Sequence, residues 1–98
     1  MGSPNPLAQK WHNFAMETYQ LFHFDFCPFC MRVRHFLDRS GLDVPLRNIH
    51  KEPEAHRELL AGGGSQQVPC LRIEAPDGQV RWLYESADII AYLGERLD

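Results

Sequence analysis

No apolar run in this 98-residue chain approaches the ~20 residues that a membrane-spanning helix requires. No secretory leader pattern, basic and then apolar, opens it either. Neither sign of charge dominates: ten Lys and Arg against thirteen Asp and Glu give a net charge of −3. The basic residues are spread out, with Arg32 and Arg34 the one tight pair, so the chain lacks an electrostatic footprint for nucleic acid. Cysteine is scarce, at three residues. An odd count does not suit a disulfide-stapled secreted scaffold and points to a reducing compartment, the cytoplasm. A structural zinc needs a full tetrahedral ligand set, and no second cysteine or histidine pair has the spacing to complete one, so no metal is expected. Internal repeats and low-complexity tracts are absent too. The length suits a single small core.

What the chain does have is Cys27-Pro28-Phe29-Cys30, directly after the apolar stretch 19–24 and directly before a helical pattern. That context makes the spacing a redox motif rather than a chance pair. With a helix starting at the motif, Cys27 is the N-cap and Pro28 is N1. Proline suits N1, where no internal N–H bond is needed and its fixed φ is helical. The Cys27 sulfur then faces the free N–H groups of Phe29 and Cys30. Those donors and the positive end of the helix dipole favour thiolate over thiol. Cys27 is therefore expected to be the exposed nucleophile with a depressed pKa. Cys30, one turn on, is expected to be the more buried thiol, within disulfide reach.

The remaining pattern divides the chain into an extension, 1–18, and a domain, 19–98. Met1-Gly2-Ser3 reads as a cloning remnant, with native residues, even an anchor, able to precede it. Leu7, Trp11, Phe14 and Ala15 share a face, which predicts a short helix over 7–16. Within the domain, 19–24 reads as a strand. A helix over 28–40 turns Phe29, Val33, Phe36 and Leu37 inward and stops at Gly41. A strand over 44–50 is weakened by Pro45. Pro53 opens a second helix with Ala55, Leu59 and Leu60 inward, ended by Gly62-Gly63-Gly64. Strands over 68–74 and 80–84 flank the turn Pro76-Asp77-Gly78. Ser86 is expected to cap a last helix with Asp88 in its first turn and Ile89, Ile90, Leu93 and Leu97 inward. Cys70 reads as a core residue, the alternative being a regulatory thiol. Trp82 and Tyr84 read as core as well, and Arg32 and Arg34 as solvated helix residues, the alternative being charges that favour thiolates and anionic substrates. A β-α-β unit must be parallel and right-handed, and a hairpin antiparallel. Together they predict an α/β domain: a mixed four-stranded sheet with helices on both faces.

That order, with the cysteine pair at the first strand–helix junction, resembles the thioredoxin fold. Gln67-Val68-Pro69 before the third strand and Glu85-Ser86 at the last helix narrow the likeness. From about Tyr19 to Leu97 the chain is similar to glutaredoxins, of the type resembling the N-terminal domain of glutathione transferases. The resemblance implies strand order 2-1-3-4, glutathione as co-substrate and a cis bond before Pro69. It implies that the Val68 backbone pairs with the cysteinyl part of glutathione, and that Glu85 and Ser86 hold the γ-glutamyl end. It also implies a monomeric glutathione-dependent thiol–disulfide oxidoreductase, acting on glutathionylated or disulfide-bonded proteins through Cys27. A lysine that many glutaredoxins carry before the first cysteine is replaced here by the run His23-Phe24-Asp25-Phe26. Asp25 would repel both a thiolate and a carboxylate, which leaves Gln66, Gln67 and Arg57 as candidates for the glycyl end. Two other readings compete: an iron–sulfur cluster module using Cys27 and glutathione, which the stiffening Pro28 opposes, and a transferase-like partner-docking domain.

Overall fold

The computed structural model describes residues 17–97. The helix expected over 7–16 lies outside them. In chain order the elements are β1 (Thr18–His23), α1 (Pro28–Ser40), β2 (Leu46–Asn48), α2 (Pro53–Glu58), β3 (Cys70–Glu74), β4 (Val80–Tyr84) and α3 (Ser86–Gly94). The second helix runs on into a π-helical turn over Leu59–Gly63. The strands form one sheet in the order β2-β1-β3-β4. β1 and β2 are parallel; the other two pairings are antiparallel. This is the mixed sheet and strand order expected. No helix among the described residues is long and apolar enough to cross a membrane.

Local chemistry explains the borders. Cys27 caps α1 and Pro28 occupies its first turn. Gly41 closes it with φ of 77°, in the left-handed region, its N–H donating to the Leu37 carbonyl at 3.3 Å. β2 is shorter than expected because Pro45 has no N–H to donate. The Pro45 carbonyl still accepts from Leu21 N–H at 2.9 Å, so the pairing starts there and lasts three residues. The β3–β4 turn is tied by Gly78 N–H to the Ala75 carbonyl, and by Gln79 N–H to Asp77 Oδ1, both 2.9 Å.

The two-residue period of the strands sorts the core into two layers. Leu21, Leu71 and Ile73 face one side, where they meet Val33 and Leu37 of α1 and Ile89 and Leu93 of α3. Phe22 and Cys70 face the other, against Ala55 and Leu59. Three expected core residues are not in either layer. Leu60 is exposed, because the chain changes winding into the π turn at Leu59 and the inward stripe keeps Leu59 alone. Leu97 is exposed because α3 ends at Gly94, before the periodic stripe reaches it. Phe29 is 61% exposed: it faces away from the Cys30–Val33–Leu37 stripe that packs on the sheet.

Candidate active site

Cys27 has extended dihedrals, φ −119° and ψ 111°, and its Sγ accepts from Cys30 N–H at 3.2 Å. The expected cap is therefore present. The sulfur is less open than expected: Cys27 is only 7% exposed, with Sγ folded back over the first turn of α1 to reach that N–H. Cys30 is fully buried. Burial, and then its hydrogen bond with Cys27, pushes the Cys30 thiol up to about 12. Both cysteines are free thiols.

The loop leading to the motif is held by Arg34, in the second turn of α1. Its Nη1 lies 2.8 Å from His23 Nδ1 and donates to the Phe24 carbonyl at 3.3 Å; Nη2 donates to the Asp25 carbonyl at 3.4 Å. Arginine can only donate, so His23 Nδ1 accepts. Burial, followed by the Arg34 charge, lowers the His23 pKa and favours the neutral ring. Arg34 is thus a positioning residue rather than the solvated helix residue expected. The His23–Arg34 pair joins a strand to a helix eleven residues away, and no sequence signal marks it.

Asp25, expected to repel anions, is itself paired. Lys51 Nζ lies 3.0 Å from Oδ2, and Asn48 Nδ2 donates to Oδ1 at 3.1 Å. The Lys51 contact holds the carboxyl below its usual range.

The bond between Val68 and Pro69 is cis, as the resemblance implied. Beside it lies a cleft of about 280 Å³ lined by Gln67, Val68, Pro69, Glu85 and Ser86. These five expected binding residues, from two segments of the chain, meet in one place. Phe29 and Arg32 of α1 complete the wall with Ala87; neither was among the expected binding residues, though the Arg32 charge was weighed as favouring anionic substrates. Their signal was present: they are one helical turn apart, on the face of α1 that the core stripe leaves free. Cys27 and Cys30 sit at the start of the same helix without lining the cleft itself. Of the three candidates for a glycyl anchor, Gln67 alone lines it. Gln66 is engaged with His56 Nε2 at 3.0 Å, and Arg57 lines a separate shallow pocket with His50 and His56.

Ser86 is not the cap of α3. Glu85 holds that position, with φ of 76° and ψ of 119° and no side-chain cap bond; Ser86 is the first helical residue. Glu85 thus adopts a positive φ, which costs a non-glycine residue energy, and this turn sets Ser86 into the cleft wall. Ser86 is 6% exposed, and its hydroxyl makes no hydrogen bond to another described residue. The far end of α3 is fastened by Tyr92, whose hydroxyl lies 2.9 Å from Glu17 Oε2.

Cys70 follows the cis proline and lies in the core, in register between Phe22 and Tyr84. Burial pushes its thiol up to about 12. Cys30 and Cys70 both start from an ordinary 9.0, so folding favours their neutral forms. A raised folded pKa gives stability that is complete below the unfolded value and is lost as pH rises through the folded one. The melting temperature should therefore fall between about pH 9 and pH 12, and fall less steeply in Cys70→Ser. Thermal melts across that range check this; equal slopes in the two proteins would exclude Cys70 as a source.

The sheet order, the cysteine pair at the β1–α1 junction and the cis proline before β3 define a thioredoxin-like domain. More narrowly, the chain belongs to the glutathione S-transferase N-terminal domain family, whose model matches residues 26–96. Among curated proteins it is similar to a glutaredoxin of Pseudomonas aeruginosa, 36% identical over 47 residues, which are 48% of this chain and 56% of that protein. The chain thus matches little more than half the length of that relative. Among solved structures it is similar to a thioredoxin-like protein, with a TM-score of 0.61 and 23% identity, over 83% of this chain and 100% of that one. It is also similar to a maleylacetoacetate isomerase from Anaeromyxobacter dehalogenans, solved with GSH bound in its active site. That match has a TM-score of 0.61 and 28% identity, over 82% of this chain and 38% of the isomerase.

Proposed function

We propose that this protein is a glutathione-dependent thiol–disulfide oxidoreductase that reduces protein–glutathione mixed disulfides through Cys27. The observation that carries the reading is the Cys27 sulfur at the N-terminus of α1, taking the Cys30 N–H at 3.2 Å. A backbone donor and a helix N-terminus placed there stabilise charge that develops on the sulfur as its bonds form and break. The glutaredoxin likeness and the GSH-bound isomerase support glutathione as the partner.

In the proposed reaction the Cys27 thiolate attacks the glutathione sulfur of the mixed disulfide. A Cys27–glutathione disulfide forms and the protein thiolate leaves. A second glutathione thiolate then attacks the glutathione sulfur on Cys27, which releases oxidised glutathione and restores the Cys27 thiolate. Electrons balance: two glutathione units leave as one disulfide, and the protein sulfur is reduced to a thiol. The Val68 backbone, beside the cis bond, would pair with the cysteinyl unit. Gln67 lies beside it. Ser86 and Glu85 would hold the γ-glutamyl end, where free N–H groups of α3 favour a carboxylate. Cys30 would resolve a second route, in which a protein disulfide is reduced directly and a Cys27–Cys30 disulfide forms. This chemistry needs a reducing compartment, and the cytoplasm is the proposed location.

The test is turnover of a glutathione mixed disulfide coupled to glutathione reductase, with thioredoxin reductase as the parallel reductant. Activity with the second reductant alone would overturn the glutathione dependence. In the same assay Ser86→Ala should raise the glutathione KM by more than about tenfold, the worth of one hydrogen bond to a charged group. Because Ser86 is not the cap, the melting temperature of the variant should stay near that of the parent. An unchanged KM in the folded variant would remove Ser86 from the site.

A further inference from the structure

A second hollow, a groove of about 470 Å³, lies between α1 and α3. Its apolar part is Phe36, Ile90 and Leu97, and its polar part includes Arg32, His35 and Arg39. Core packing does not use this face of α1. Val33 and Leu37 turn to the sheet, while Arg32, His35 and Arg39 are exposed. These three lie three and four residues apart, so they line one face over about 10 Å of helix axis. None of them has a hydrogen-bond or ion-pair partner among the described residues. Elsewhere arginine is paired, Arg47 with Glu52 and Glu58, and Arg72 with Glu74. No acidic residue is among those lining the groove. In a chain of net charge −3 this basic strip is a local feature.

We propose that the groove is the docking site for an acidic amphipathic helix of another protein. Its apolar stripe would cover Phe36, Ile90 and Leu97, and its carboxylates would meet Arg32, His35 and Arg39. The inference goes beyond the redox function and uses neither cysteine. Charge complementarity selects the occupant. Residues 4–16 of this chain carry an apolar stripe, but with it Lys10 and His12 and no acid, so they would add like charge. A second copy related by a two-fold axis would set the same cations against each other. A bilayer is flat and cannot follow a concave floor, and an anionic one is opposed by the net negative charge of the chain.

The test is fluorescence anisotropy with the full chain and a labelled peptide of about 18 residues, long enough to hold a helix. The peptide carries Leu at helical spacing and Glu on both flanks; its twin has Lys for every Glu. The Glu peptide should bind, and the Lys peptide at least about tenfold more weakly. Arg39→Glu should weaken the Glu peptide about fivefold, as a reversed rim charge trades attraction for repulsion. Leu97→Ser should weaken it about fivefold as well, through lost apolar contact. Both side chains are exposed, so both variants keep the fold. Arg57→Glu makes the same charge change at another pocket and should leave binding unaltered. Absence of binding, equal binding of the two peptides, or an equal loss in Arg57→Glu would overturn the proposal. So would a gain of binding in Trp11→Ser, which would place the chain's own first residues in the groove. Vesicles of phosphatidylglycerol form the last arm, and binding to them that Arg39→Glu removes would make the surface a lipid site instead.

Discussion

Cys27→Ser will lose turnover on a glutathione mixed disulfide by at least about a thousandfold, as removal of a nucleophile does. Serine keeps the size and the cap at α1, so the loss will come without unfolding. Cys30→Ser should retain this activity, because in the proposed route external glutathione attacks the Cys27 adduct and Cys30 takes no part. It should lose direct reduction of protein disulfides. The asymmetry comes from position. Cys27 takes the Cys30 N–H at the head of the helix, while Cys30 is fully buried, with its thiol pushed up to about 12. Alkylation by iodoacetamide at mildly acidic pH should mark Cys27 first. Labelling of Cys30 ahead of Cys27 would reverse the roles, as would a Cys30→Ser variant as inactive as Cys27→Ser on the mixed disulfide.

The second large effect concerns stability. A Cβ added at Gly62 would come far inside van der Waals contact with the edge of the Trp82 ring, and one at Gly63 with the Tyr84 hydroxyl. Trp82 has little room to yield: its ring lies 5.4 Å from that of Phe22, and Arg72 covers it at 5.9 Å from the centroid. Gly62→Ala should therefore destabilise the fold by about 2–3 kcal/mol, the upper range for overpacking. Gly64 is the control. Its φ is 81°, but a Cβ there meets no atom within 4 Å. Gly64→Ala should cost only the left-handed backbone penalty, about 1–2 kcal/mol. Denaturant midpoints of the two variants check this. Equal losses would mean that conformation, and not the Trp82 contact, explains glycine at position 62.

The glycine run illustrates what was readable. Three glycines after Ala61 announce the end of a helix, and Gly64 ends it in the left-handed region. That Gly62 and Gly63 are small for the sake of β4 could not be read, because Trp82 and Tyr84 lie far along the chain. Phe29 is a second case. Helical spacing placed it with Val33 and Leu37, but period alone does not say which of two neighbouring stripes meets the sheet. Cys30, small and apolar, took the inward place, and Phe29 was left for the cleft. Ser86 is a third. Serine before a helical run is the usual sign of a cap, and the positive φ of Glu85 moved the cap back by one residue.

Element order, the parallel and antiparallel pairings it entails, the start and stop of α1, and the cysteine pair at a helix N-terminus were all legible along the chain. These are local: a proline at N1, a glycine past the end and alternating apolar residues act through neighbours in the chain. Resemblance added strand order and the segments around Pro69 and Ser86. The packed fold alone settled what lies between those segments. It set Arg32 and Glu85 in one cleft, gave His23 to Arg34 and Asp25 to Lys51, and buried Cys30 behind Cys27. Each of these depends on the distance between separate elements, set by how two core layers pack on the sheet, and no local pattern encodes that distance.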